Sequence, residues 1–205
     1  MRTLLLFLLT FALFMTGSST QAVTILTGNL TANDPDAEEL KSDQEWGQSF
    51  KVSWGSASEV VLNCVMVNMF REKDRSGKTI TASIRSSWNG ASLWSSTIPH
   101  DSIEKDSSGD KNTLHELVTF WGSDVTLSTN TWYYLRLDTT ANSKLWVHFD
   151  NGGSSYSPGH MLNKDGDSQG GGKDLIFAVP EPSALLLLGL GLTGFAASRR
   201  TRIRA

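Results

Sequence analysis

The chain has 205 residues, a formal net charge of −3 and one cysteine. This length favours a single domain, and one cysteine excludes an intrachain disulfide. The ends differ in composition from the rest. Residues 23–178 hold 13 basic and 20 acidic residues, and this formal charge of about −7 argues against binding to nucleic acid or anionic membranes.

The first 22 residues have the composition of a secretory signal peptide. Arg2 gives a positive start, residues 4–15 are apolar, and residues 17–22 are small or polar. The apolar stretch of about twelve residues is short for a stable membrane span, which needs roughly 20. We therefore expect export and cleavage after Ala22, rather than a retained N-terminal anchor.

Residues 23–178 contain several short stretches in which apolar and polar residues alternate. Ile80, Ala82 and Ile84 share one face of such a stretch, and 132–137 and 145–149 follow the same pattern. The stretch 59–70 is apolar on both faces, which is typical of a covered central strand. Turn sequences rich in glycine and asparagine separate these stretches.

These patterns predict an all-β chain. Residues 34–43 are the one stretch whose composition would suit a short helix. We predict a single antiparallel β-sandwich, jelly-roll-like, over residues 23–178.

The body also resembles the lectin-like sandwich domains called choice-of-anchor domains. The similar features are Gln48-Ser49-Phe50 and the segments 125–138 and 151–163. The resemblance implies a sandwich fold and surface anchoring, without an established reaction.

Tryptophan is frequent in the body, and two of these residues are candidates for sugar binding. Trp88 lies beside an Asn-Gly turn, and Trp146 shares the polar side of its strand with His148. An exposed aromatic ring can stack on the C–H face of a sugar. We predict that both rings are exposed; the alternative is core packing.

The segment 163–174 is the best candidate for a metal site. Asn163, Asp165, Asp167 and Asp174 offer the oxygen ligands that calcium prefers. The alternative is a solvated glycine-rich turn, and no other cofactor is predicted.

The body shows no sequence motif of an enzyme. It lacks Gly-x-Ser-x-Gly, a phosphate-binding loop and a histidine pair at metal-ligand spacing. We therefore expect no catalytic role, although carboxylates that converge in space would still permit a glycoside hydrolase.

The C-terminal 27 residues form three successive parts. Residues 179–183 contain Pro180, Glu181 and Pro182, whose prolines keep the segment extended. Residues 184–198 are an apolar run that would make a helix of roughly 22 Å, a short membrane span. The tail 199–205 carries four arginines that would stay on the cytoplasmic side: Arg199, Arg200, Arg202 and Arg204.

These three parts, in this order, resemble the PEP-CTERM sorting signal of Gram-negative bacteria. The resemblance implies that an exosortase, a membrane-embedded Cys/His transpeptidase, recognises the chain as its substrate. It further implies an inner-membrane precursor that is cleaved near the motif and transferred to the cell surface or an exopolysaccharide matrix.

We accordingly expect an exported structural or adhesive protein of the cell surface or biofilm matrix. The alternatives are a carbohydrate-binding module for the exopolysaccharide and, third, a hydrolase of that polymer.

Overall fold

The computed structural model describes residues 25–29, 32, 34–52, 57–106, 108, 110–142, 144–152, 159–170 and 172–180. They belong to one compact unit, Ile25–Ser183. Among these residues no helix has the length and apolar character that a membrane span requires. The predicted signal peptide, apolar span and C-terminal arginines lie outside them.

The described residues form strands connected by turns, with one short 3-10 turn at His100–Ser102. The strands are β1 (Ile25–Asn29), β2 (Pro35–Leu40), β3 (Trp46–Lys51), β4 (Glu59–Arg71), β5 (Thr79–Arg85), β6 (Ser92–Pro99), β7 (Leu117–Ser128), β8 (Trp132–Thr139), β9 (Leu145–Asp150), β10 (Met161–Leu162), β11 (Asp174–Leu175) and β12 (Phe177–Pro180). They pair antiparallel in two sheets, so the prediction of an all-β chain with antiparallel sheets is confirmed.

The first sheet is built around β4. One edge of β4 pairs with β7 over residues 59–68. The other edge pairs with β12 at residues 66–67 and then with β9 at residues 69–71. β1 continues the sheet beyond β12, and β2 continues it beyond β9. The sheet therefore forks where β4 and β9 diverge.

Ile176 holds the two branches of this fork together. Its N–H donates to the carbonyl of His148 in β9 at 3.0 Å, and its carbonyl accepts from the N–H of Asn68 in β4 at 2.9 Å. β11 and β12 therefore form one chain segment that passes from β9 to β4, so the last strands tie the sheet together.

The second sheet has the order β10-β3-β8-β5-β6, and its inner face packs on the first sheet. The residues predicted to face inward in β5, β8 and β9 are buried in this shared core, as their alternation predicted. They are Ile80, Ala82, Ile84, Tyr133, Leu135, Leu137, Leu145, Val147 and Phe149.

A β-bulge explains why β4 is apolar on both faces. The pairing register shifts between Leu62 and Cys64, and such an extra residue reverses which side chains face the core. The inward residues are Val60 and Leu62 before the bulge and Val65, Val67 and Met69 after it. Cys64 is only 2% exposed, and burial raises the pKa of its thiol.

Gln48 links the two sheets through a buried polar contact. Its side-chain Nε2 donates to Asp174 Oδ1 at 2.9 Å, and its Oε1 accepts from the N–H of Leu175 at 2.9 Å. Gln48 lies in β3 and both partners lie in β11. Because both ends of the amide are bonded inside the sandwich, this contact fixes the sheets at one relative position.

The segment that suited a short helix is a strand. Pro35–Leu40 pairs with β9 along its whole length. Proline is tolerated at the first residue of an edge strand, and Ala37 and Leu40 are buried there. Tertiary pairing therefore overrides the helical composition of this stretch.

We expect Gly47→Ala to destabilise the domain by about 2 kcal/mol or more. A Cβ at this position would lie 2.2 Å from the carbonyl oxygen of Leu135 and 2.5 Å from a ring carbon of Trp88. Urea unfolding of the mature protein measures the loss. Ser49→Ala, in the same strand, is the comparison and should cost about 1 kcal/mol for its hydrogen bond to the backbone N–H of His160. Equal stability of the wild type and Gly47→Ala would contradict the close packing.

Candidate functional site

β12 carries the first residues of the predicted sorting segment. It pairs with β1 along its whole length and with β4 at residues 177–178. The side chains of residues 177–179 are fully buried, and the strand ends at Pro180. Val179 and Pro180, which were predicted to belong to the sorting segment, are therefore part of the sheet. The folded body extends two residues beyond its predicted end at 178.

The first and last strands meet at the same end of the sandwich. Ile25, at the start of β1, is the register partner of Pro180 at the end of β12. Partners in antiparallel strands lie about 5 Å apart. The described chain therefore enters and leaves the sandwich at neighbouring points.

The same end of the sandwich carries an exposed tryptophan. β3 runs beside β11 and β12 in the same direction, because Gln48 contacts β11 and the ring of Phe50 lies 5.9 Å from that of Phe177. β3 ends at Lys51, whose Nζ lies 4.7 Å from the ring centre of Trp132. Trp132 is 41% exposed. Tryptophan and lysine are residue types common near membrane surfaces.

Trp88 is not an exposed ring, contrary to our prediction. It is 7% exposed, and its Nε1 donates to the carbonyl of Lys164 at 3.0 Å. A Cβ at Gly166 would lie 2.6 Å from this ring, so the turn around Gly166 covers the tryptophan. The contact joins two loops that are distant in sequence, and a sugar cannot reach the ring.

Trp146 is also buried, at 8% exposure, so the prediction of an exposed ring is wrong here too. It does lie on the outer side of β9, as the alternation of side chains along this strand predicted. The connection between β6 and β7 covers that side, and Lys111 Nζ from this connection lies 3.7 Å from the ring centre. Phe70 stacks on the ring at 6.3 Å.

A groove lies between β6 and β7. It is lined by Ser92–Ser95, Ser123 and Asp124 and has a volume of about 270 Å³. Trp121, two residues before Ser123 along β7, is 56% exposed. The groove thus combines hydroxyl and carboxylate groups with a neighbouring exposed aromatic ring.

The structure does not assemble the predicted calcium ligands. Asn163 Oδ1 accepts the backbone N–H groups of Asp165 and Asp167 at 3.0 and 2.9 Å, which closes a turn. Asp174 is buried in β11 and bonded to Gln48. Over the described ranges, no three His, Cys, Asp or Glu side chains are grouped as a metal site. The segment folds as a turn because its side-chain oxygen bonds its own backbone.

Two histidines pack in a ring cluster on the outer side of the first sheet. The ring of His148 lies 5.4 Å from that of His115 and 5.3 Å from that of Phe70, and His115 stacks on Phe70 at 4.3 Å. His148 is fully buried. Burial, reinforced by the neighbouring His115, lowers the pKa of His148 to about 4, although Asp36 and Asp110 act in the opposite direction.

We expect His148 to make the domain less stable in weak acid. The unfolded chain protonates this histidine near pH 6.5, whereas the folded chain does so only near its pKa of about 4. The folded state therefore binds fewer protons between these values. The contribution of His148 to stability is complete above about pH 6.5 and falls by about 3 kcal/mol as the pH drops to 4. Burial also lowers the pKa of His100, which adds a loss of the same sign.

Urea unfolding at pH 7.0 and pH 4.5 measures this effect. His148→Phe, which keeps a ring in the cluster, should show a smaller loss between the two pH values than the wild type. His148→Gln serves as a second variant if phenylalanine does not fit. Identical losses in wild type and both variants would contradict a neutral buried His148.

The sequence of the last strand and the tail matches a known sorting signal. The family model of the PEP-CTERM protein-sorting motif matches residues 178–200. This chain carries a PEP-CTERM sorting signal. The PEP-CTERM motif implies export as a membrane-anchored precursor, which an exosortase-type enzyme sorts to the cell surface. The match starts at Ala178, inside β12, so the PEP-CTERM motif and the sandwich share residues 178–180.

Two solved structures similar to this chain are only distantly so. Dimeric latent PorU from Porphyromonas gingivalis has 7% identity and a TM-score of 0.29, over 77% of this chain and 14% of that one. A pentameric capsid protein isolated from metagenomic phage sequences has 9% identity and a TM-score of 0.20, over 77% of this chain and 96% of that one. No curated protein matches the chain. Likenesses at this level carry no functional conclusion.

The sequence pattern gave no indication of the exposed Trp121 or of the adjoining groove. Trp121 belongs to β7, which lacks a regular apolar alternation, and the groove forms only where β7 meets β6, an edge strand of the other sheet. The local pattern therefore gave no signal. The features that resemble choice-of-anchor domains lie in β3 and in the β7–β8 hairpin, apart from 151–163, which is described only in part.

Proposed function

We propose that the chain is a structural or adhesive protein of the cell surface or exopolysaccharide matrix, without a catalytic role. The observation that carries this proposal is the direct continuity between the sandwich and the sorting signal, since β12 itself provides the first residues of the matched motif. The chemistry of sorting would belong to the exosortase, and this chain would be its substrate. We also propose that the strands of the sandwich follow a jelly-roll-like order.

The arrangement of the two termini supports this role. Both leave the sandwich at one end, so the precursor would face the membrane with that end. The exposed Trp132 and neighbouring Lys51 lie there as well. The acidic body would extend away from anionic lipids, and after processing its outer surfaces would contact matrix polymers or neighbouring proteins.

Cell fractionation with and without the sorting enzyme tests the proposal. In cells that contain the enzyme, we expect a shortened protein at the cell surface or in the matrix. In cells that lack it, we expect the precursor in the inner membrane. Intact mass distinguishes the two forms. The same mass and location in both strains would contradict sorting, and a matrix unchanged by deletion of this protein would contradict a structural role.

A second candidate function is carbohydrate binding in the groove between β6 and β7. The exposed ring of Trp121 and the hydroxyl and carboxylate groups of the groove favour it. We expect the mature protein to bind the exopolysaccharide of the same cells. Trp121→Ala should weaken binding at least tenfold, which is about 1.4 kcal/mol, whereas Trp132→Ala should not. Equal binding by wild type and Trp121→Ala would exclude this site.

A hydrolase remains the third expectation from the sequence, and release of reducing sugars from the exopolysaccharide would detect it. Residues Asp150 and Asp174 face each other in β9 and β11. Both are buried, and Asp174 bonds Gln48. Their positions favour a structural role for this pair of carboxylates.

A further inference from the structure

While the sandwich is folded, an enzyme cannot bind β12 as an extended peptide. Its backbone pairs with β1 on one edge and with β4 at residues 177–178 on the other. The side chains of residues 177–179 lie in the protein interior. An enzyme that binds a peptide as an extended strand needs both its backbone groups and its side chains. The folded chain offers neither before Pro180.

Removal of β12 from the sheet would also disrupt the point at which the sheet branches between β4 and β9. Ile176 bonds to both β4 and β9, and Phe177 is packed against Phe50. Pulling the strand out would expose these apolar side chains to water and break the pairing of β1. This is unfolding of the sheet rather than a local fraying of one end.

We propose that the sorting enzyme cleaves after Pro182 or further along the chain, and that it reads residues from Glu181 onwards. This inference rests on the proposed function of the chain as an exosortase substrate. The acyl side of the first such bond would then include Glu181 and Pro182, which follow the last residue of β12. The folded sandwich prevents the enzyme from binding residues 177–180.

The bond that breaks is an ordinary peptide bond. The enzyme's thiolate attacks the carbonyl carbon and forms a thioester, while the C–N bond breaks and the nitrogen of the departing tail takes a proton from the enzyme's histidine. Water, or an amine or hydroxyl group of a surface polymer, then attacks the thioester; its proton passes to the same histidine, and the thiolate is released. No oxidant or reductant is required.

The window for cleavage is narrow. Residues 181–183 span roughly 10 Å when extended, and the predicted apolar span starts at Ala184. The scissile bond therefore lies between the end of the sandwich and the membrane surface, where a membrane-embedded enzyme acts.

Intact mass of the mature protein, purified from cells that contain the enzyme, tests the inference. We expect a C-terminal residue at Pro182 or later. A mature protein that ends at Glu181 or earlier would overturn the inference and leave the sorting function intact. Unprocessed precursor in these cells would overturn both.

Insertion of Gly-Ser-Gly-Ser between Pro180 and Glu181 gives a second test in the full-length chain. If the enzyme reads only from Glu181 onwards, processing continues and the cut moves with the motif, so the mature protein gains the four residues. If the enzyme also reads residues 177–180, the insertion separates them from the scissile bond and processing is lost. Loss of processing would therefore overturn the inference.

Discussion

Replacement of Pro180, Glu181 and Pro182 by alanine is expected to leave the full-length precursor in the inner membrane. Pro180 ends β12, and proline at positions 180 and 182 disfavours helix, whereas alanine favours it. An extended segment can enter an active site, whereas a helix that continues the apolar span cannot. The expected result is near-complete loss of the mature form, seen as precursor mass in the membrane fraction.

The matched control uses the same residue types elsewhere on the surface. Pro99 and Glu116 are both exposed, and Pro99→Ala combined with Glu116→Ala should leave maturation unchanged. Normal maturation of the triple-alanine variant, alongside normal maturation of the control, would show that Glu181 and Pro182, which the enzyme is inferred to read, are not needed for recognition. The sorting signal would then reside in the apolar run and the arginines alone.

Phe177→Ala is expected to cost about 3–5 kcal/mol of folding stability. Phe177 is fully buried in β12, and its ring lies 5.9 Å from that of Phe50 across the sandwich. Removal of the ring leaves a cavity between the sheets and weakens the strand that joins the fork. Because domains of this size are stable by about 5–15 kcal/mol, the variant could lose a large share of its stability.

Urea unfolding of the mature protein measures this loss. Phe177→Leu keeps most of the volume and should cost less than about 1.5 kcal/mol. Trp121→Ala removes an exposed ring and should change stability by about 0.5 kcal/mol or less. A loss in Phe177→Ala no larger than that in Trp121→Ala would contradict the central position of β12. It would also weaken the inference that the folded sheet protects residues 177–180.

Features that depend on a pattern among neighbouring residues were predicted correctly from the sequence. The alternation of Ile80, Ala82 and Ile84 gave both the strand and its inward face, because side chains in a strand alternate strictly. The order of Pro-Glu-Pro, apolar run and arginines gave the sorting signal, because a processing enzyme reads a linear segment. Neither conclusion needed a partner from elsewhere in the chain.

The tryptophans show where local patterns fail. The alternation of side chains along β9 predicted that Trp146 lies on the outer side of the strand. It does lie there, but the connection that carries Lys111 covers it. Trp88 is adjacent to a turn and is covered by the turn around Gly166. Exposure depends on what packs over a residue, and the covering segments come from distant parts of the sequence.

The sequence alone determined that this protein is all-β, that its ends resemble export and sorting segments, and that the tail carries a PEP-CTERM signal. Only the tertiary structure decided that Asp174 is hydrogen-bonded to Gln48 instead of belonging to a calcium-binding loop. It also decided that Val179 and Pro180 belong to the sheet. The physical reason is that periodicity and motifs are properties of neighbouring residues. Strand partners, burial and accessibility arise from contacts between residues far apart in the chain, such as Ile25 with Pro180.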